Sequence, residues 1–203
     1  MPPSMPVSQP ESGAASAAQT TSVSTGSQTI GPFFRIGLDY FWSDVQCRSQ
    51  LAGDEFEVRG RILDADGRGI SDAMLEFWGA NASGVYDSAP AVEPKPRGFV
   101  RAGTGPDGEF HIVMRVPGPV AFSQERMQAP HVVVLVFMRG LLRHLITRLY
   151  LPDEARIAAD PVLSLVSLER RETLIARNSS RGARSFDWDI HMQGEGETVF
   201  FAW

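Results

Sequence analysis

The densest hydrophobic pattern in the chain runs from Ala129 to Leu151, APHVVVLVFMRGLLRHLITRLYL. Successive side chains of an extended backbone point to opposite faces. Val132, Val134 and Val136 therefore share one face, while Val133, Leu135 and Phe137 share the other. Both faces are apolar, which predicts a strand buried on two sides, and so many β-branched residues favour strand over helix. Met138-Arg139-Gly140 reads as a turn into a second strand. There Leu145, Leu149 and Leu151 alternate with His144, Ile146, Arg148 and Tyr150.

Alternation recurs along the chain. Phe56, Val58, Gly60 and Ile62 interleave with Glu57, Arg59 and Arg61, and the turn Asp64-Ala65-Asp66-Gly67 follows. Met74 to Gly79 predicts the next strand, and Asn81 to Tyr86 a loop. Pro90, Pro94 and Pro96 preclude a central strand between Asp87 and Arg97. Phe99 to Ala102 and Glu109 to Val116 read as a hairpin around Gly105-Pro106-Asp107-Gly108, and Pro117-Gly118-Pro119 breaks the sheet. Asp153 to Ala159 and Glu169 to Arg177 predict short helices. Phe186, Trp188, Ile190 and Met192 alternate strictly with polar residues, predicting one continuous strand, and Thr198 to Trp203 predicts a last one. Many short strands, Gly/Pro turns and little helix indicate a mainly-β fold, a β-sandwich of antiparallel or mixed sheets over residues 28–203.

Composition narrows the function. Residues 1–27 are rich in Ser, Ala, Pro, Gln and Thr, too poor in large apolar groups to offset their ordering entropy, and are expected to be disordered. A net charge of −5 with scattered arginines argues against a nucleic-acid or anionic-membrane surface. No apolar run reaches the length of about 20 residues that spans a bilayer, and the N-terminus lacks the basic start and apolar core of a secretory signal. The lone Cys47 has no internal disulfide partner, so a cytoplasmic protein is expected. Gln28-Thr29-Ile30-Gly31-Pro32-Phe33-Phe34 carries apolar surface that wants a partner. From the residues alone, packing on its own domain is favoured over an arm laid on another chain.

Several blocks, taken in order, resemble the intradiol ring-cleavage dioxygenases. They are Arg59-Gly60-Arg61-Ile62-Leu63-Asp64-Ala65-Asp66-Gly67, Leu75-Glu76-Phe77-Trp78-Gly79-Ala80-Asn81, Gly84-Val85-Tyr86, Pro117-Gly118-Pro119, Ala129-Pro130-His131 and Leu145-Ile146-Thr147-Arg148-Leu149-Tyr150. The resemblance covers Gln28 to the C-terminus. It implies a ferric ion held in the family's catalytic chains by two tyrosinates and two histidines, hard phenolates suiting Fe(III). Here Tyr86 matches the first tyrosine and His131 the first histidine, but Val120 and Val133 stand at the other two positions. Gln128 stands where catalytic chains carry an arginine that stabilises the reacting substrate.

Two valines offer no lone pair, so no metal ligand set and no catalytic residue is expected on this chain alone. In two-chain members of the family, a related chain carries the iron and packs against a non-catalytic one. The resemblance thus implies Fe(III) on a beta-chain partner, with O2 and a carboxylated catechol as substrates. It turns the N-terminal segment into a cross-chain wall of the substrate pocket, formed by Thr29, Gly31, Pro32 and Phe33, the last replacing a tyrosine common there. Arg139 would steer the substrate carboxylate, its alternative being a solvated turn charge. Two other readings stay open: a self-sufficient dioxygenase whose iron site uses His144 or Tyr150, and a non-enzymatic β-sandwich that binds or scaffolds.

Overall fold

The valine-rich segment becomes a strand between two others, and the sheets grow outward from it and from one more long strand. The computed structural model of the chain describes residues 55–86 and 98–202. Among them run β1 (Glu55–Leu63), β2 (Met74–Gly79), β3 (Phe99–Gly103), β4 (Glu109–Arg115), β5 (Val120–Ala121), β6 (Met127–Gln128), β7 (His131–Phe137), β8 (Leu145–Tyr150), β9 (Arg177–Asn178), β10 (Ser185–Asp187) and β11 (Ile190–His191). Two short helices, α1 (Glu154–Ala158) and α2 (Leu168–Arg171), lie between β8 and β9. The proposed tail 1–27, the segment around Thr29 to Phe33, and Cys47 lie outside the described residues.

One sheet is purely antiparallel, in the order β3-β2-β7-β8. The other is mixed: β1 pairs antiparallel with β4, and parallel with β10 and then β11. Inward-facing Phe56, Val58 and Ile62 of β1 and Phe110, Ile112 and Met114 of β4 meet Leu75 and Phe77 of β2 and Val132, Val134 and Val136 of β7. That is the β-sandwich the alternation predicts, with the period of two burying every second side chain. A smaller apolar cluster, Ala129, Tyr150, Leu163 and Leu174, forms at the end of β8 under the short helical turns. Among the described residues no helix is long and apolar enough to cross a membrane.

Four local expectations are corrected. β7 is not equally buried on both faces: Val132, Val134 and Val136 are fully covered, whereas Val133, Leu135 and Phe137 are only partly so. Their face looks away from the sandwich core, toward the candidate site. The strand expected over Phe186 to Met192 is two strands, because Trp188 leaves the ladder and passes over Gly60. Its N–H donates to Arg59 O at 2.9 Å. The second predicted helix is a single turn, α2, followed by a 3-10 turn at Glu172–Leu174, since Ala176 N–H turns to Tyr150 O at 2.9 Å. The expected last strand reduces, among the described residues, to a bridge between Phe201 and Ile146.

Gly60 makes the crossing possible. A Cβ there would sit 1.7 Å from Trp188 O, a backbone atom that cannot swing aside. Gly60→Ala is expected to lower the urea midpoint by an amount equivalent to about 1–3 kcal/mol, the usual cost of overpacking. Gly182→Ala, whose added Cβ would meet only Ser185 Oγ at 3.4 Å, should shift it by no more than about 0.5 kcal/mol.

Candidate functional site

The candidate site lies on the outward face of the antiparallel sheet, where β7 and β8 begin and end. Their register sets His131 opposite Tyr150 and Val133 opposite Arg148. These four side chains therefore share one face.

Tyr86 reaches this face from the loop after β2. Asn81 Oδ1 accepts from the N–H groups of Ser83 and Val85, at 2.9 and 3.1 Å, folding the loop back on itself. Gly84 takes a left-handed φ of 78° and packs so tightly on Pro119 that a Cβ would lie 2.0 Å from its carbonyl oxygen. Gly118 N–H donates to Asn81 O at 3.0 Å. The Asn-Ala-Ser-Gly-Val-Tyr and Pro-Gly-Pro segments are thus interlocked, which aims Tyr86 at His131.

His131 is buried, and its Nδ1 lies 2.8 Å from Ala129 O. A carbonyl oxygen can only accept, so Nδ1 carries the proton and Nε2 is left as an acceptor. The Tyr86 hydroxyl fills it at 3.1 Å. Burial, reinforced by the Arg148 charge, pushes the His131 pKa down to about 4. Burial likewise raises that of Tyr86. Both groups are held neutral at pH 7.

Arg148 is the charged member of the group and is 94% buried, its relative exposure being 6%. Its Nη1 donates to Gln128 Oε1 at 2.8 Å and approaches the Tyr150 hydroxyl at 3.3 Å. The guanidinium carbon stands 5.7 Å from the centre of the Phe201 ring. Tyr150 donates to Asp160 Oδ1 at 3.3 Å, and burial pushes its pKa up to about 12. Asp160, itself buried, accepts further bonds from the N–H groups of Ala129, Val162 and Leu163 at 2.7, 2.9 and 2.7 Å. It pins the chain on both sides of the site. Val120 lies beside Gln128 in the two-residue hairpin of β5 and β6.

Comparison with known proteins decides the family. A family model described as "Dioxygenase" matches residues 44–194. A protocatechuate 3,4-dioxygenase alpha chain of Burkholderia cepacia is 39% identical over 198 residues, covering 90% of this chain and 98% of that one. The chain of the same name from Pseudomonas putida is 38% identical, over 87% of this chain and 95% of that one. The chain belongs to the intradiol ring-cleavage dioxygenase family. A beta chain from Burkholderia cepacia is 27% identical over 72% of this chain and 67% of its own length. Among solved structures, hydroxyquinol 1,2-dioxygenase from Pseudomonas putida DLL-E4 superposes with a TM-score of 0.53 at 21% identity, covering 70% of this chain and 57% of that one. That likeness supports the fold.

Intradiol dioxygenases use iron, and the residues present here do not fit it. Tyr86 and His131 are in direct hydrogen-bonded contact, with the lone pair a metal would take already engaged. Val120 and Val133 add no donor. A fixed cation, Arg148, stands on the same face, opposite Val133 in the ladder, and its field opposes an Fe(III) ion. Among the described residues no three His, Cys, Asp or Glu side chains converge on one point. Of the alternative ligands, Tyr150 is committed to Asp160, while His144 stacks on Phe137 with ring centres 5.2 Å apart at the other end of the strand pair.

The other site candidates lie elsewhere. Thr29, Gly31, Pro32 and Phe33 are outside the described residues. Arg139 sits exposed in the β7–β8 turn, its Nε 3.2 Å from the Asp72 carboxylate. Asp72 has no hydrogen-bond partner among the described residues, so Arg139 supplies its countercharge. Arg148 and Asp160 did not emerge from sequence reasoning as site residues. A lone arginine within the apolar Leu145 to Leu151 run is the signal that could have found the first.

The neutral histidine has a pH signature. An unfolded histidine titrates near 6.5, above the folded value of about 4, so the unfolded state binds more protons between the two. Stability is therefore complete above about pH 6.5 and is lost as pH falls toward 4, the loss at pH 5 being about 2 kcal/mol. Urea unfolding at pH 7 and pH 5 should show this difference, and it should largely vanish in His131→Asn.

Proposed function

We propose that this chain is the alpha, non-catalytic subunit of an αβ protocatechuate 3,4-dioxygenase in aromatic-compound catabolism in the cytoplasm. The observation that carries the reading is the pairing of a nearly end-to-end match to alpha chains with an arginine and two valines where the family's iron would be held. The holoenzyme uses O2 to cleave the bond between the two hydroxyl-bearing ring carbons of protocatechuate, giving 3-carboxy-cis,cis-muconate. Fe(III) belongs to the beta subunit, and ring cleavage takes place there.

This subunit contributes pocket wall, steering and assembly. Thr29, Gly31, Pro32 and Phe33 lie against the beta subunit's pocket, Gly-Pro bringing rigid backbone close to the ligand without bulk. Phe33 closes the wall with an apolar ring. Arg139, on an exposed turn, attracts the substrate carboxylate while also neutralising Asp72.

Metal content tests the assignment. The chain purified alone should be colourless and iron-free. Co-expressed with a beta chain, it should yield a red-brown complex with about one iron per αβ pair and ring-cleaving activity. The colour is the tyrosinate-to-Fe(III) band. Stoichiometric iron in the isolated chain would refute the reading. For steering, Arg139→Ala should raise KM for protocatechuate about three- to tenfold at low salt with kcat little changed, the effect shrinking as salt is added. An unchanged KM would remove Arg139 from the pocket, leaving it as the partner of Asp72.

A further inference from the structure

A cavity of about 350 Å³ opens beside Arg148, with Phe122, Val162 and Phe201 as its apolar walls and Gln128 and Arg148 as its polar lining. Its size suits a single ring with a small substituent.

Arg148 is unusual in what it lacks. Of its guanidinium nitrogens only Nη1 is engaged, by Gln128 and Tyr150. Among the described residues Nε and Nη2 have no acceptor, and no carboxylate forms an ion pair with this side chain. The acid nearest along the network, Asp160, is reached only through the Tyr150 hydroxyl, and its own oxygens are occupied by three backbone N–H groups. The other polar neighbours, His131 and Tyr86, are held uncharged. A 94%-buried cation thus faces a cavity with a free donor edge. Burying a charge unpaired is costly, and a planar donor fork is the shape that grips a carboxylate bidentately.

We propose that this cavity binds a small carboxylate with a ring-sized apolar body, the carboxylate on Arg148 Nε and Nη2 and the body against Phe122, Val162 and Phe201. The charge selects the anion and the walls select what is attached to it. The site belongs wholly to this chain and needs no metal. It does not depend on the subunit assignment above.

Benzoate and 4-iodobenzoate are suitable probes, used with the protein in the assembly in which it purifies. Crystals soaked in 4-iodobenzoate should show an anomalous iodine peak in the cavity, with the carboxylate on Arg148. Soaking in the uncharged 4-iodobenzyl alcohol should leave the cavity without a peak. In solution, benzoate should occupy one such site per copy of the chain, weakened about tenfold or more in Arg148→Met, the loss expected for a charge-assisted bond. Phe201→Ala should weaken benzoate while leaving inorganic sulfate unaffected. The proposal is overturned if iodine is found only elsewhere, for instance at a partner's iron, or if the alcohol enters equally well. It also fails if sulfate competes as strongly as benzoate, which would make Arg148 a point for an adventitious ion only. Should Arg148→Met not fold, the acid-against-alcohol comparison on the unaltered protein decides alone.

Discussion

The register between β7 and β8 is the constraint on which the candidate site depends. Antiparallel pairing sets His131 against Tyr150 and Val133 against Arg148, and a one-residue slip of either strand would turn that strand's two site residues to the sandwich core. The register is held by the inner face, where Val132, Val134, Val136 and Leu149 are fully buried. Core packing on one side of the sheet thereby determines the chemistry on the other. The proline before His131 and the Asp160 bond to Ala129 N–H fix where β7 begins.

Electrostatics then separate this chain from an iron-bearing one. A ferric site needs anionic ligands and no competing cation, whereas here the ionisable neighbours are pushed toward neutrality and Arg148 carries the charge. Gln128 is uncharged, and Arg148 of β8 brings the positive charge to it, Nη1 donating to Gln128 Oε1 at 2.8 Å. The face is arranged around a cation of its own, Arg148, and the species that charge attracts is an anion.

The mixed sheet shows a second dependence. β1 is paired along both edges, and one edge can receive β10 at Glu57 to Arg59 and β11 at Ile62 and Leu63 because Gly60 between them lets the Trp188 backbone close over it. Trp188 then enters the core and donates its indole N–H to Thr173 O at 2.9 Å, tying the segment after α2 to the sandwich. That segment carries Leu174 beneath Tyr150. The glycine and the buried phenol thus belong to one continuous packing arrangement.

Residue pattern alone determined the fold class, the strands β1, β2, β3, β4, β7 and β8, and the β7–β8 turn; the loss of two ligand positions at Val120 and Val133 is what the family resemblance implies. The strands and the turn follow from local rules, since alternation with period two and turn residues are readable without knowing what lies across the gap. Order, spacing and block identity also carried the family resemblance. Tertiary structure alone decided that Phe186 to Met192 is two strands, that the outer face of β7 is only half-covered, and that Arg139 answers Asp72. It also decided that Arg148 and Asp160, 12 residues apart in sequence, join Tyr150 and Gln128 in one buried network. Each of these depends on a partner from a distant segment, and the energy of burying or pairing a group is set by that partner rather than by its neighbours in sequence.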